Sequence, residues 1–251
     1  DFGISVSSAG DVNGDGFSDV IVGAWRGGNQ SQEGRIYVYH GSATGLSAMA
    51  DWTAESDQVN ARLGISVATA GDVNGDGYSD VIAAALYYSN GQLDEGRAFV
   101  YHGSPAGLSA TADWTAESDQ TGAHCGYVAS AGDVNGDGYS DVIICSNSYT
   151  NGQSQEGRAF LYYGSTTGLS SAPNWTAESD QVLASFGSSA SSAGDVNGDG
   201  YSDVVVGTHS FDNGETNEGR VFWYHGNGAI GRRSNERLYD TNVTSPLSAG
   251  N

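Results

Sequence analysis

The chain has 251 residues, of which 30 are acidic and nine are basic, so its formal net charge is −21. All nine basic residues are Arg, and because phosphate groups are bound mainly by clustered Lys and Arg, the composition excludes a nucleic-acid partner and argues against an anionic membrane surface. Gly contributes 38 residues and Pro only three, which is typical of many tight turns, and no apolar run is long enough for insertion into a membrane. A chain this acidic either stays soluble by self-repulsion or binds cations.

The N-terminal part of the chain reads as four short strands joined by turns. In chain order the strands are predicted at Phe2–Ala9, Val20–Ala24, Arg35–His40 and Asp51–Ala54, and the acidic loop Asp11–Asp19 joins the first two. The third strand alternates aromatic and β-branched residues, nothing has helical periodicity, and Gly recurs too often for a long helix. We therefore expect an all-β unit.

This unit recurs along the chain. The string DVNGDG begins at Asp11, Asp72, Asp133 and Asp195. The string EGR keeps the same phase and begins at Glu33, Glu95, Glu156 and Glu218, whereas WTAESDQ begins at Trp52, Trp114 and Trp175. Four short strands in a unit of about 61 residues, repeated radially, predict a β-propeller with four-stranded blades. A linear β-solenoid is the alternative, but its rungs are usually shorter.

The units divide the chain into four blades, at residues 1–61, 62–123, 124–184 and 185–226, the last with its first three strands only. Residues 227–251 diverge, and Leu238–Val243 is a candidate for the last strand, for part of a linker or for a contact with another subunit. The blades form a closed four-bladed ring or part of a larger ring, completed by further sequence or other copies. Because an open arc would expose apolar blade faces, we expect self-association.

Each DVNGDG string opens a loop with the oxygen ligands that a hard cation requires. In the first loop the side chains of Asp11, Asn13, Asp15 and Asp19 occupy positions 1, 3, 5 and 9, and the carbonyl of Phe17 occupies position 7. Ca²⁺ takes about six to eight oxygen ligands at about 2.3–2.6 Å. The same set recurs at Asp72, Asn74, Asp76, Tyr78, Asp80; at Asp133, Asn135, Asp137, Tyr139, Asp141; and at Asp195, Asn197, Asp199, Tyr201, Asp203. The sequence therefore predicts four Ca²⁺ sites.

Ordinary turns and better-known calcium loops match this pattern less well. Residues that merely form turns would be scattered and would not hold the same ligand positions in every copy. An EF-hand has a bidentate Glu at position 12, whereas that position here is apolar, at Val22, Ala83, Ile144 and Val206. Dockerin loops continue into helices, and thrombospondin-type calcium arrays lack alternating strands between their loops.

Two glycine-containing pairs flank the loop. A Phe-Gly pair precedes it (Phe2-Gly3 and Phe186-Gly187), and a Gly-Ala pair follows it (Gly23-Ala24). Together they resemble the FG-GAP repeat of integrin α-subunit propellers and their bacterial relatives, over residues 1 to about 226. The resemblance implies calcium in the loop between the first two strands of each blade, in rings that commonly have seven blades. This sequence departs from the repeat at Leu63-Gly64 and Cys125-Gly126, and no copy has the Pro that completes Gly-Ala-Pro.

Recurring polar residues outside the loops favour structural roles. The EGR arginines are predicted to form inter-blade ion pairs with Glu55, Glu117 or Glu178, in preference to an anion or sugar clamp; these arginines are Arg35, Arg97, Arg158 and Arg220. His40, His102 and His225 precede a turn glycine, and since Tyr163 replaces them in the third blade, we interpret them as polar groups at strand ends.

The two cysteines, Cys125 and Cys145, lie on strands that flank one loop. They form a disulfide or remain two separate buried thiols.

The resemblance to the FG-GAP repeat implies an extracellular, secreted or cell-surface, calcium-binding β-propeller that serves adhesion, scaffolding or surface assembly. The alternatives are a lectin-like carbohydrate binder and an accessory module of a larger secreted enzyme, so the ligand is a protein or a glycan. No GxSxG or HExxH motif is present, and we expect no enzymatic activity. Sequons at Asn29, Asn174 and Asn242 suit exposed turns of a secreted protein.

Overall fold

The computed structural model describes residues 1–227, which contain 15 β-strands and no helix. The strands are β1 (Ser5–Gly10), β2 (Asp19–Ala24), β3 (Arg35–Tyr39), β4 (Trp52–Glu55), β5 (Leu63–Gly71), β6 (Asp80–Ala85), β7 (Arg97–Tyr101), β8 (Trp114–Glu117), β9 (Cys125–Gly132), β10 (Asp141–Ser146), β11 (Arg158–Tyr162), β12 (Trp175–Glu178), β13 (Ser189–Gly194), β14 (Asp203–Thr208) and β15 (Arg220–Tyr224). Within this part of the chain, no helix is available that could cross a membrane.

The strands form four antiparallel sheets in which neighbours follow chain order. Blade 1 is β1-β2-β3-β4, blade 2 is β5-β6-β7-β8, blade 3 is β9-β10-β11-β12, and blade 4 is the three-stranded sheet β13-β14-β15. This arrangement confirms the all-β propeller architecture predicted from the repeat. The segment Leu238–Val243 lies outside the described residues.

The hydrophobic core lies between blades and not within any one of them. In a β-strand, alternate side chains point to opposite faces of the sheet, so each central blade contributes to two cores. Every residue of β6 and β10 is accordingly buried. The three cores pair Ile36 and Val38 with Leu63 and Val67, Ala98 and Val100 with Cys125 and Val128, and Leu161 and Ile143 with Phe186 and Val204.

The glycines of the Phe-Gly and Gly-Ala pairs let neighbouring blades approach each other closely. A Cβ on Gly23 would lie 1.9 Å from the carbonyl oxygen of Gly64, so no side chain fits between blades 1 and 2 at this point. Beside this contact the N–H of Leu63 donates to the carbonyl of Glu33 at 2.9 Å. The two pairs, about 40 residues apart in sequence, therefore form one inter-blade contact.

The two end blades expose the faces that the central blades bury. Val6 of β1 is 64% exposed and Phe2 is 61% exposed, whereas Val67 in the next blade is only 5% exposed. At the other end, Val221 of β15 is 50% exposed. Within residues 1–227, close packing of first strands joins β1 to β5, β5 to β9 and β9 to β13, but does not join β13 to β1.

Both cysteines are buried free thiols, so the disulfide considered from the sequence is not formed. Ser146 is the strand partner of Cys125, and Cys145 therefore points to the opposite face of the sheet. Cys125 packs in the core between blades 2 and 3, and Cys145 packs in the core between blades 3 and 4. Blade 3 itself separates the two sulfur atoms.

Candidate metal sites

The DVNGDG loops connect the first two strands of every blade, and the carboxylate at position 1 organises each of them. In blade 1, Asp11 Oδ1 accepts hydrogen bonds from the N–H groups of Gly14 (2.7 Å) and Asp15 (3.1 Å), and its Oδ2 accepts one from Gly16 (2.8 Å). Gly14 and Gly16 have φ angles of +73° and +89°, a region that L-residues with side chains rarely adopt. The glycines therefore allow the backbone to curl around Asp11.

Positions 3 and 5 are drawn to the same centre. Asn13 Oδ1 accepts the N–H of Asp15 at 3.0 Å, and Asn13 Nδ2 donates to Asp15 Oδ2 at 3.1 Å. The N–H of Phe17, at position 7, donates to Asp15 Oδ1 at 2.9 Å. The same bonds occur in the other loops, around Asp72, Asn74 and Asp76; Asp133, Asn135 and Asp137; and Asp195, Asn197 and Asp199.

The carboxylate at position 9 is buried and accepts hydrogen bonds from the backbone of the loop and of the segment that follows the third strand. Asp19 is fully buried, and its two oxygens accept the N–H groups of Val12 (2.9 Å) and Gly41 (2.8 Å). The corresponding residues Asp80, Asp141 and Asp203 are also fully buried. Burial raises the pKa of Asp80 to about 6 and that of Asp141 to about 7, although the N–H donors act in the opposite direction. A nearby positive charge would offset this cost of burying the ionised form.

The loops fit a hard cation in their donor chemistry. All of the side-chain groups at positions 1, 3, 5 and 9 carry oxygen, and a carboxylate offers about four lone-pair sites, of which Asp11 uses three for N–H groups. Positions 1, 3 and 5 are brought together, but within residues 1–227 no loop has three carboxylates whose oxygens all lie within 4.8 Å of one another. At position 9 of the first loop, both carboxylate oxygens accept backbone N–H groups, those of Val12 and Gly41.

Neighbouring loops are also linked to each other. The N–H of Ser79 donates to the carbonyl of Asp11 at 3.0 Å, and the ring of Tyr78 lies against Gly14. The corresponding contacts join Ser140 to Asp72 and Ser202 to Asp133. These backbone hydrogen bonds join each of the first three loops directly to the following blade.

A second group of acidic residues was not predicted as a site, although the sequence contains both of the motifs that form it, EGR and WTAESDQ. Glu33 of EGR lies beside Glu55 and Asp57 of WTAESDQ, and each residue offers a carboxylate oxygen such that all three oxygens lie within 4.8 Å of one another. The same triad recurs as Glu95, Glu117 and Asp119, and as Glu156, Glu178 and Asp180. We call these groups the acidic triads. The sequence feature that could have indicated these triads is that the EGR and WTAESDQ motifs recur with the same spacing in the first three units.

The EGR arginines pair with the predicted glutamates, but the predicted location of the pairs between blades was wrong. Arg35 and Glu55 face each other on β3 and β4 of one blade and form an ion pair. Arg97 Nε lies 2.9 Å from Glu117 Oε1, and Arg158 Nε lies 3.1 Å from Glu178 Oε1. The antiparallel register places these residues directly opposite each other, so the pairs tie the outermost strand to its own blade.

The recurring histidines lie at strand ends beside aspartates. His40 Nδ1 is 4.0 Å from Asp51 Oδ1, and His225 Nδ1 is 3.3 Å from Asp203 Oδ1. Tyr163, which replaces the histidine in blade 3, lines a cavity of about 350 Å³ next to the third loop, together with Asn135, Asp137 and Asn174.

The side chains of two sequon asparagines are already engaged. Asn29 donates to Glu55, and Asn174 accepts the N–H of Tyr163. Asn242 lies outside the described residues.

Comparison with known proteins agrees with the repeat architecture. The FG-GAP repeat model matches residues 2–39 and 186–222, and an FG-GAP-like repeat model matches residues 72–144. The chain is 32% identical over 219 residues to integrin alpha pat-2 of Caenorhabditis elegans, covering 80% of the chain and 17% of the relative. It is 32% identical over 222 residues to integrin alpha-V of Gallus gallus, covering 84% and 20%.

Similarity also extends to a protein named as an enzyme. The chain is 32% identical over 167 residues to phosphatidylinositol-glycan-specific phospholipase D of Mus musculus, covering 63% of the chain and 20% of the relative. The chain thus spans about a fifth or less of each of these relatives. The family matches, the sheets and the loops together show that the chain belongs to the integrin-like FG-GAP repeat family.

Proposed function

We propose that this chain is an extracellular, secreted or cell-surface, β-propeller module that binds Ca²⁺ in its four DVNGDG loops and serves adhesion or the assembly of a surface scaffold. The observation that carries the proposal is the recurrence of one oxygen-rich loop, with the same internal hydrogen bonds, at the same place in all four blades. Residues that only form turns would not keep the same oxygen-bearing groups at positions 1, 3, 5 and 9 in four blades, whereas a shared ligand accounts for this recurrence.

The proposed role of Ca²⁺ is to stiffen the surface on which the loops lie. Each loop is bonded to the next through contacts such as Ser79 to Asp11, so an ion in one loop restrains two blades. The net charge of −21 also favours Ca²⁺ binding, since bound cations reduce the repulsion between the acidic residues of the chain. Adhesion rests on the similarity to integrin α chains, and on the view that this region is a binding module and not a catalytic one.

Calcium binding is tested by isothermal titration of the chain with Ca²⁺. A variant with Asp→Asn at position 5 of every loop (Asp15, Asp76, Asp137 and Asp199) removes one carboxylate from each predicted site while keeping an oxygen there. We expect the loop sites to lose most of their affinity, because Ca²⁺ affinity depends on the number of charged ligands. Unchanged binding by this variant would contradict the proposal.

Carbohydrate binding is a second candidate function, favoured by the cavity in blade 3. Its lining combines the aromatic side chain of Tyr163 with amide and hydroxyl groups of Asn135, Asn174, Ser165 and Ser170, a mixture suited to sugar hydroxyls. A glycan array distinguishes this function from protein adhesion, with Tyr163→Ala as the control variant. The similarity to a phospholipase D supports a third candidate function, that of an accessory module in a larger secreted enzyme.

We also propose that the chain self-associates through its end blades. The exposed face of blade 1, with Phe2, Ile4 and Val6, corresponds to faces that blades 2 and 3 bury against a preceding blade. The face of blade 4 that contains Val221 corresponds to the faces that pack against a following blade. A second copy offers each face its natural complement.

A further inference from the structure

The acidic triads contain a buried oxygen that has no partner. Glu33 is fully buried, and its Oε1 caps the preceding turn by accepting the N–H groups of Asn29 and Gln30. Its Oε2, by contrast, is buried and makes no hydrogen bond within the described residues. The same is true of Oε2 in Glu95 and Glu156, whose Oε1 atoms likewise cap their turns. An ionised oxygen excluded from water without a partner is costly, and here it occurs three times at the same place in the repeat.

The charge of each triad is also unbalanced. Glu33, Glu55 and Asp57 together carry three negative charges when ionised, and the adjacent Arg35 supplies a single positive charge. Arg35 is bound to Glu55 and leaves Oε2 of Glu33 without a donor. Asn29 Nδ2 also donates to Glu55, so this amide, like Arg35, binds Glu55 and not Oε2 of Glu33. The remaining charge of two is what one divalent cation would neutralise.

The geometry suits Ca²⁺. Ligands on opposite sides of a Ca²⁺ ion lie about 4.6–5.2 Å apart, since each ligand–metal distance is about 2.3–2.6 Å. The three oxygens of each triad all lie within 4.8 Å of one another. Asp57 and its counterparts are exposed, which leaves a route from solvent and room for water ligands.

We propose that Glu33, Glu55 and Asp57, with their counterparts in blades 2 and 3, form a second class of Ca²⁺ site that is separate from the DVNGDG loops. The triad draws on β3, β4 and the turns beside them, whereas the loops lie between β1 and β2. Blade 4 offers an internal comparison, because it has no WTAESDQ string and its Glu218 is exposed. The glutamate of EGR is thus buried where the two partner carboxylates are present.

Equilibrium dialysis of the full chain with radioactive Ca²⁺ tests the proposal by counting bound ions. One variant replaces the buried glutamates (Glu33→Gln, Glu95→Gln and Glu156→Gln), and a second replaces the exposed aspartates (Asp57→Asn, Asp119→Asn and Asp180→Asn). Asn tolerates the positive φ of about +54° found at these aspartates, so the second variant keeps its backbone even if the first is unstable. Glu218→Gln is the matched control.

We expect each triple variant to bind three fewer ions than the wild type, and Glu218→Gln to bind the same number. The loop variant at position 5 should retain three ions. The proposal is overturned if the Asp→Asn variant binds as many ions as the wild type with the same affinity, which is the result expected if the triads hold no ion. It is also overturned if the folded loop variant binds none. If instead the loop variant binds as many ions as the wild type while the triad variants lose three, the loop proposal fails and the triad proposal stands.

Discussion

A Cβ placed on Gly75 would lie 2.4 Å from Cε1 of Tyr139, the aromatic residue at position 7 of the next loop. Gly75 is therefore required for two reasons, its φ of +75° and the ring that lies over it. Gly198 occupies the same position in blade 4 with a φ of +77°, but no atom lies within 4 Å of where its Cβ would be. A comparison of substitutions at these two glycines therefore distinguishes the effect of backbone strain from the effect of the contact between loops.

We predict that Gly75→Ala lowers the free energy of unfolding by about 1 kcal/mol more than Gly198→Ala does. Both changes place a side chain in the left-handed region, at a cost of about 1–2 kcal/mol, and Gly75→Ala additionally crowds the tyrosine ring. Denaturant melts of the two variants in saturating Ca²⁺ measure the difference. Equal destabilisation would mean that Tyr139 simply swings away and that the contact contributes nothing to stability.

We predict that the melting temperature depends on Ca²⁺. At a free Ca²⁺ concentration ten times Kd, each site that binds only the folded chain adds about 1.4 kcal/mol, so four loops together add about 5–6 kcal/mol. That sum is comparable to the net stability of a typical domain. Thermal melts in millimolar Ca²⁺ and in excess chelator should therefore differ by many degrees, with NaCl at matched ionic strength as the control. Coincident melting curves in the two conditions would contradict the prediction.

We predict that neither thiol reacts with an aromatic disulfide reagent at pH 8 in the folded chain, whereas both react after unfolding. Burial raises the pKa of Cys125 to about 12 and raises the pKa of Cys145 as well, so the nucleophilic thiolate is scarce and inaccessible. Because the unfolded thiols ionise near pH 9 and the folded ones do not, stability should fall as the pH rises from about 9 to 12. Detecting fewer than two thiols in the unfolded, unreduced chain would show a disulfide.

We predict that Val6→Glu reduces self-association without destabilising the blade to which it belongs. Val6 is 64% exposed on the open face of blade 1, so a charge there costs little in the monomer but would be buried in an association of end blades. Met49→Glu is the control, since Met49 is 80% exposed in a turn outside the strands. Light scattering over a range of concentrations in Ca²⁺ measures the mass. A wild-type chain that remains monomeric at all concentrations would contradict the proposed self-association.

The strands and the loop contacts were predictable because they depend on neighbours in sequence. The strand predicted at Val20–Ala24 is β2, Asp19–Ala24, and the one predicted at Arg35–His40 is β3, Arg35–Tyr39. Within a loop, the bonds from Gly14 and Gly16 to Asp11 join residues at most five positions apart. Alternation of apolar residues, turn glycines and the spacing of oxygen ligands therefore determined the type of each element and the composition of the loop.

The pairing of distant segments was decided only by the tertiary structure. Whether Arg35 meets Glu55 within a blade or across blades depends on the register of β3 against β4, which the spacing of the two motifs leaves open. Cys125 and Cys145 lie on neighbouring strands, but the faces to which they point depend on how the bulge between Cys145 and Ser146 shifts the register. Glu33 is fully buried, its carboxylate accepts N–H groups of the preceding turn, and its backbone carbonyl accepts the N–H of Leu63 in the adjoining blade, and the EGR motif alone does not predict these contacts. Local backbone conformation depends on consecutive residues and can be predicted from them. Burial and register depend on the packing of strands and sheets whose residues are tens of positions apart in the sequence.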